Sequence, residues 1–393
     1  MEVIVDEKKI QELLTRGVEE VIHRESLEKR LRSGTQLRIK LGIDPTSAHI
    51  HLGRSVPLLK LRDFQELGHK IIFIVGDFTG VIGDTSDKDA ERPMLSQEAI
   101  NENKKTYFAQ VAKILDIDKV EFRHNTEWLA SLSYHDVAAH ADAFSVADFI
   151  ARDNIKRRLD AGKRVSLREV LYPLMQGYDS VAIQADVEIG GTDQRFNILA
   201  GRALQERFNQ QPQDIITNPL INGTDGRKMS SSWGNTITLT MDPSDMYGKV
   251  MSMADNELVT YFTICTRIPL EEVAIIKKEL EEGVNPRDIK MRLAREIVRM
   301  YHGEEYAIKA ESAFIETFQK KHVPEDIPEI VAPYVENLIR HGLVPSKTEL
   351  RRLIDAGGVR AADTEEKLSE FPEKLESPLI LKIGKRRFVK LLP

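Results

Sequence analysis

Apolar residues at Ile10, Leu13, Leu14, Val18, Val21 and Ile22 recur at helical spacing, so the chain is predicted to open with an amphipathic helix. A strand-like run, Leu37–Ile43, is followed by a loop and then by an amphipathic stretch from about Gly53 to Leu67 that stops at Gly68. The apolar run Lys70–Val75 comes next. Strand, helix and strand in this order form a βαβ unit, which makes the two strands parallel. The pattern therefore predicts an α/β fold with a doubly wound parallel sheet, whose ligands gather at the carboxyl ends of the strands. A second strand-to-loop passage, Ala185–Gly191, leads into a helix predicted to start near Thr192 and Asp193. Helical patterning resumes after about Asp242 and runs to about Gln319, and Pro324, Pro328 and Pro333 mark a linker. Three domains follow from this: an α/β body over 1–240 with a helical connective insertion at about 120–170, a helical domain over 241–325, and a C-terminal module over 331–393. No internal repeat or low-complexity tract appears, which argues against a solenoid or a disordered arm.

Composition changes this picture little. With 41% apolar and 30% charged residues the chain is neither disordered nor membrane-like, and its apolar runs are far shorter than the roughly 20 residues a bilayer span needs. The first residues mix acid and base where a secretory signal needs a basic start and a longer apolar stretch, so a cytoplasmic protein with no membrane partner is expected. Cys265 is the sole cysteine, which excludes an internal disulfide and a cysteine-rich zinc site and suggests a buried structural thiol. No resident metal is assigned. Charge is more telling. The net charge is −6, yet the segment from Leu338 to Pro393 holds twelve Lys and Arg against eight Asp and Glu, so a basic tail follows an acidic body.

Candidate chemistry sits in the loops after the strands. Gly42 to Arg54 reads GIDPTSAHIHLGR and runs directly into a helix. A helix N-terminus offers unpaired N–H groups and partial positive charge, His51 and Arg54 add donors, and Gly53 lets a ligand approach the backbone, so an anion such as triphosphate is favoured there. By itself this string equally suits a capping loop. A second polar loop, Gly226 to Ser232, brings Lys228 and consecutive hydroxyls that suit phosphate, although an isolated surface turn has the same look. Tyr172, Gln176 and Asp179 recur at i, i+4 and i+7 on one helix face, which spacing alone leaves open between a binding face and a wet surface stripe.

Taken together, His51-Leu52-Gly53 and Lys228-Met229-Ser230-Ser231-Ser232 resemble the two signature motifs of class I aminoacyl-tRNA synthetases, and Tyr-x-x-x-Gln-x-x-Asp is similar to the tyrosine-binding helix of bacterial tyrosyl-tRNA synthetases. The resemblance covers nearly the whole chain. It implies a Rossmann-type doubly wound catalytic domain that activates tyrosine with ATP and Mg2+ to tyrosyl-adenylate and pyrophosphate, then transfers tyrosyl to the 3′ end of tRNA(Tyr). Thr46, His51 and Lys228 would serve catalysis by holding the outer phosphates. Asp44, Gly53, Arg54, Gly191, Asp193, Ser231, Lys88 and Arg92 would bind ATP, with Asp193 accepting from the ribose; capping of a helix by Asp193 beside Thr192 is an alternative that residue type allows. Asp179 would accept the phenol hydroxyl, Tyr172, Gln176 and Asp84 would bind the α-ammonium, and Gln194 would complete the pocket. A homodimer is also implied.

The resemblance extends to the tail. Pro345 to Val359 reads as a capped basic helix ending in glycines and then a strand, similar to the small α+β RNA-binding domain shared with a ribosomal small-subunit protein and pseudouridine synthases. Lys347, Arg351, Arg352, Lys385, Arg386 and Arg387 would contact tRNA, with Lys382 and Lys390 extending the basic surface. Another basic stretch, Arg152 to Arg168, suits either the tRNA acceptor end or a solvated helix face. The chain departs from the family pattern at Arg54, in place of a second histidine, at Ser231, in place of a second lysine, and at Lys40, in place of a tyrosine. Arg227 is expected to supply the cation density lost at Ser231. Two alternatives stand beside this reading: a tryptophanyl-tRNA synthetase, and a synthetase-like RNA-binding protein that no longer activates an amino acid.

Overall fold

The structure, a computed structural model, describes residues 2–84, 94–318, 327–362, 366–372, 374–375, 377–384 and 387–393. Two compact units divide the chain, Met1–Ala307 and Ile308–Pro393. The segment 241–325, expected as a separate helical domain, is cut by that division, because the helices Pro243–Met251, Leu258–Cys265, Leu270–Glu281 and Pro286–His302 all belong to the first unit. Pro324, expected to open the linker, lies outside the described residues.

The first unit is built on a six-stranded sheet of β1 (Glu20–Ile22), β2 (Arg38–Ile43), β3 (Lys70–Val75), β4 (Val120–His124), β5 (Val187–Gly191) and β6 (Asp214–Asn218). Its order is β1-β6-β5-β2-β3-β4, with β2 to β6 parallel and only β1 antiparallel, at the edge beside β6. Strand β3, KIIFIV, is apolar almost throughout and buried, as a strand covered by helices on both faces must be. Strand order reverses between β2 and β5, so the loops after these two strands flank a crevice. The crossover helix Leu52–Glu66 follows β2, as predicted. Helices Leu167–Ala182 and Arg195–Arg207 pack closely at Gly177, where a Cβ would lie 2.9 Å from the Ala200 carbonyl carbon. Only glycine permits that approach.

Two predictions of secondary structure are corrected. The opening helix spans only Glu7–Thr15; Gly17, at φ +59°, turns the chain, and Val21 and Ile22 lie in β1. A helical period and a short edge strand place their apolar residues in apparent register across the glycine. The insertion at 120–170 begins with strand β4 before it becomes helical, so its first residues belong to the sheet. Cys265 is buried, and burial pushes its thiol up to about 12, in keeping with a structural role. Among the described residues no helix is long and apolar enough to cross a membrane.

The second unit carries a four-stranded sheet, β7 (Glu329–Ile330), β10 (Arg387–Leu391), β9 (Leu379–Ile383) and β8 (Val359–Ala361) in that spatial order, with helices Tyr334–Arg340 and Lys347–Asp355. Ile330, Tyr334, Leu338, Leu350, Val359 and Leu381 contribute to its own core. The Ser346 hydroxyl accepts from the Glu349 N–H at 3.1 Å and so caps the second helix, which ends before Gly357 at φ +66° and leads to β8.

Candidate active site

A cavity of about 480 Å³ opens at the carboxyl ends of β2 and β5. Every residue predicted to meet ATP or tyrosine lines it, apart from Lys88 and Arg92, which lie outside the described residues. The sequence scatters these side chains over Asp44 to Ser231, and the sheet's switch point collects them.

At the nucleotide end, His51 is the extended N-cap of helix Leu52–Glu66 but makes no capping bond through its side chain. It is 7% exposed, and burial, then Arg54 and Lys228, push its imidazole down to about 3, so it is neutral at ordinary pH. The expected unpaired N–H groups are not there. Leu52 N donates to Ile237 O at 2.9 Å, Gly53 N to Met229 Sδ at 3.3 Å, and Arg54 N to His51 O at 2.8 Å. A return of the chain near Ile237 and the second motif's own methionine cover the helix start, so an anion there meets side chains and the helix dipole instead. Gly53 fits this packing, since a Cβ would lie 3.0 Å from His51 Nδ1.

Arg54 donates to Thr46 Oγ1 at 3.0 Å and to the Tyr107 hydroxyl at 3.0 Å, and Tyr107 in turn donates to Ser47 O at 3.0 Å. Gln110 completes the brace, donating to Ala48 O at 2.9 Å and accepting from Ile50 N at 2.7 Å. Lys228 Nζ lies 3.0 Å from Asp193 Oδ2. Asp193 is not a helix cap: the helix after it starts at Arg195, with Gln194 as an N-cap whose side chain makes no capping bond. Gly191 leaves this carboxylate its place, because a Cβ there would fall 2.5 Å from Asp193 Oδ1 and the side chain would have to shift. Ser231 begins a short 3-10 turn on the exposed second-motif loop. Arg227, expected to compensate for Ser231, instead pairs with Asp225 at 2.6 Å and stacks over Trp233 at 4.8 Å, outside the cavity lining. An acidic neighbour two residues away captures it.

At the amino-acid end, Tyr172 and Asp179 are buried, so their helix face points inward and is no wet surface stripe. Asp179 Oδ1 accepts from Trp128 Nε1 at 2.8 Å and Oδ2 from Asn125 Nδ2 at 3.4 Å. Burial pushes its carboxyl up to about 7, with Lys40 and these two donors pulling the other way. Tyr172 donates to Asp44 Oδ2 at 2.8 Å, and Thr79 donates to Asp44 Oδ1 at 2.7 Å. Asp44, predicted for ATP, is thus the partner of an amino-acid-pocket residue, and burial pushes it up to about 6. Gly76 makes room, since a Cβ would sit 2.1 Å from Asp44 Oδ1. Gln194 donates to Asp84 Oδ2 at 2.7 Å and Asn197 to Oδ1 at 3.4 Å. Lys40 does not face the cavity; its amine donates to Gln176 O at 2.9 Å and Ser180 Oγ at 2.8 Å and pairs with Glu188 at 2.9 Å.

Sequence reasoning does not reach Asn125, Trp128, Asn197, Tyr107 or Gln110. Only Asn125 carries a signal, as the residue just after a strand, and that strand lies in a segment expected to be helical. No group of three acidic, histidine or cysteine side chains among the described residues is placed to hold a metal ion. Arg158, in the basic stretch suggested for tRNA, is buried against Glu169 at 2.5 Å and so is unavailable to RNA. In the second unit Lys347, Arg351 and Arg352 are exposed on one helix, with Lys347 paired to Glu336 and Arg352 to Glu349 at 2.8 Å. Arg387 donates to Leu343 O, while Lys385 and Arg386 lie outside the described residues.

Residues 32–319 match the family model of tRNA synthetases class I (W and Y). A curated relative named tyrosine–tRNA ligase from Thermotoga maritima is 43% identical over 385 residues, covering 96% of both chains. Another of that name, from Carboxydothermus hydrogenoformans, is 44% identical over 408 residues, covering 99% of both. Among solved structures, the tyrosyl-tRNA synthetase of Archaeoglobus fulgidus complexed with L-tyrosine shares the fold at a TM-score of 0.62 and 24% identity, over 77% of this chain and 99% of that one. A truncated mitochondrial tyrosyl-tRNA synthetase from Coccidioides posadasii shares it at 0.65 and 23%, over 78% and 92%. With both motifs meeting in one cavity and matches of this extent, the chain belongs to the tyrosine–tRNA ligase family of class I tRNA synthetases.

Proposed function

We propose that the chain activates tyrosine with ATP and transfers it to tRNA(Tyr), with the cavity residues in the following roles. Tyrosine enters with its phenol hydroxyl donating to Asp179. Its α-ammonium donates to Asp84, to the Tyr172 oxygen and to Gln176. The ATP ribose takes the place of Lys228 on Asp193, which releases the lysine amine toward the phosphates. Thr46, neutral His51 and Arg54 meet the outer phosphates. The tyrosine carboxylate oxygen then attacks the α-phosphorus, a new P–O bond forms, and the bond to pyrophosphate breaks. Lys228 and Arg54 stabilise negative charge as it grows on the leaving group, and a general base is not needed because the attacking carboxylate is already ionised. Mg2+ would arrive on the triphosphate, which suits its preference for phosphate and water oxygens, and would neutralise charge there. In the second step a terminal ribose hydroxyl of tRNA attacks the acyl carbon and AMP leaves.

The observation that carries this reading is the floor of the pocket. Two donors, Trp128 and Asn125, aim at a buried Asp179 beside the cavity, and its carboxylate keeps lone pairs that an arriving hydroxyl can fill. Phenylalanine would bury the same carboxylate without that partner, at the cost of an unsatisfied charged group. In the second unit, the exposed Arg351 and Arg352 support RNA binding. A homodimer is proposed from family membership, and sedimentation of an active monomer would refute it. A cytoplasmic location is proposed from family membership.

Amino-acid-dependent ATP–pyrophosphate exchange, run without tRNA with tyrosine, tryptophan and phenylalanine, tests the activity. Exchange with tyrosine alone is expected. Exchange with tryptophan would reassign the substrate, and none at all would favour the synthetase-like RNA-binding protein.

A further inference from the structure

We propose that the buried Lys40–Glu188 ion pair is a positioning device that sets the side-chain amide of Gln176, so that its carbonyl oxygen and not its NH2 faces the amino-acid pocket. The inference rests on the ammonium-binding role given to Gln176 above. Glu188 is 1% and Lys40 0% exposed, and neither lines the cavity, whereas Gln176 does. Glu188 Oε1 accepts from Lys40 Nζ at 2.9 Å and from Gln176 Nε2 at 3.2 Å, and Oε2 accepts from Ser180 Oγ at 3.0 Å and from Gln213 Nε2. A carboxylate so placed has only acceptors to offer, and the lysine amine pairs with it at 2.9 Å in a buried setting. The Gln176 side chain must therefore turn its NH2 downward, because its carbonyl against the carboxylate would be repelled. Lys40 also grips the helix backbone at Gln176 O, 2.9 Å away, which sets where the side chain starts.

The consequence is chemical. An ammonium ligand needs acceptors, and a glutamine amide is either an acceptor or a donor according to a half-turn about its last bond. Nothing in the glutamine itself decides between them. Glu188 decides, from beneath the pocket, and Lys40 holds Glu188. Lys40 thus acts on the ammonium end of the ligand, not on the phenol.

Full-length wild type, Glu188→Gln, Gln176→Glu and the double variant are compared by ATP–pyrophosphate exchange, with melting temperatures as a check on folding. Glu188→Gln is expected to raise the tyrosine KM roughly tenfold, the scale of one hydrogen bond to a charged group, with kcat and the ATP KM within roughly twofold. Gln176→Glu alone sets two carboxylates against each other and is expected to raise the tyrosine KM further. In the double variant the amide introduced at position 188 donates to the carboxylate introduced at position 176. The other oxygen of that carboxylate faces the ammonium, so the tyrosine KM should return to within roughly threefold of wild type. A folded Glu188→Gln protein with an unchanged tyrosine KM, or with both substrates' KM raised alike, overturns the proposal. So does a double variant no better than Gln176→Glu, and that comparison stands even where Glu188→Gln alone fails to fold. A Gln176→Ala protein with a wild-type tyrosine KM would instead remove the ammonium-binding role itself.

Discussion

The two ends of the cavity are built on different terms. At the amino-acid end Asp179 is buried, and the carboxylates of Asp44 and Asp179 are already bonded to Tyr172, Thr79, Trp128 and Asn125, so ligand meets groups held in place. At the nucleotide end Lys228 rests on Asp193 and belongs to a partly exposed loop whose neighbouring charges, Arg227 and Asp225, pair with each other. A ligand must replace contacts there instead of adding to them. Selectivity gains from the first arrangement, because a rigid buried acceptor cannot adjust to a wrong side chain. Charge stabilisation late in the reaction gains from the second, because a cation freed on binding is available when charge develops.

The comparison breaks most visibly at Lys228. Lys228→Ala should lower kcat for activation by roughly 10²–10³-fold while the tyrosine KM stays near wild type, the signature of an interaction made in the transition state. Steady-state exchange kinetics with each substrate varied would check this, and a change in tyrosine KM alone would erase the distinction between the ends. Asp179→Asn should do the converse, raising the tyrosine KM by roughly 10–100-fold with little effect on ATP.

A pH series sharpens the amino-acid end. With Asp179 pushed up to about 7, the carboxylate is lost as pH falls through 7, so tyrosine affinity should drop on the acid side in the wild type and not in Asp179→Asn. Stability should move oppositely. The folded, free protein holds protons on Asp179 and Asp44 that the unfolded chain releases near pH 4, so these groups make folding less favourable as pH rises from about 4 toward 7. Melting temperatures of wild type and Asp179→Asn across that window should diverge, with the wild type losing more as pH rises. A constant difference would argue against the raised carboxyl.

Smaller effects are expected at the brace and the tail. Tyr107→Phe removes the hydroxyl that ties Arg54 to Ser47 O, and the ATP KM should rise roughly three- to tenfold with tyrosine unaffected. Arg351→Ala should weaken tRNA binding modestly and reduce the steepness of its salt dependence by about one counterion, without touching tyrosine activation. Filter binding over a salt series would show it; an unchanged slope would take Arg351 out of the RNA surface.

Much of the site is legible in the sequence because its chemistry lies in short strings that follow strands. The His51 and Lys228 loops, the Tyr172-to-Asp179 helix face and the Gly190-to-Gln194 turn each declare their residue types locally, and β2, β3 and β5 are recognisable from their apolar runs. The supporting residues are not legible. Trp128 and Asn125 reach Asp179 from beyond β4, Asn197 reaches Asp84 from another helix, and Tyr107 reaches Arg54 from the helix Tyr107–Val111. No local pattern marks a residue whose role is to bond a side chain far away in the chain.

Sequence alone determined the alternation of strands and helices, the residue types at the carboxyl ends of β2 and β5, and the family to which those motifs point. These follow from spacing, from glycines and from side-chain chemistry, all of which act over a few residues. Tertiary structure decided which groups are spent. It covered the helix start at Leu52 with Ile237 and Met229, turned Arg227 toward Asp225, buried Arg158 on Glu169 and sent Lys40 beneath the pocket to Glu188. Hydrogen bonds and ion pairs saturate, so what a side chain offers a ligand depends on what folding has already placed beside it.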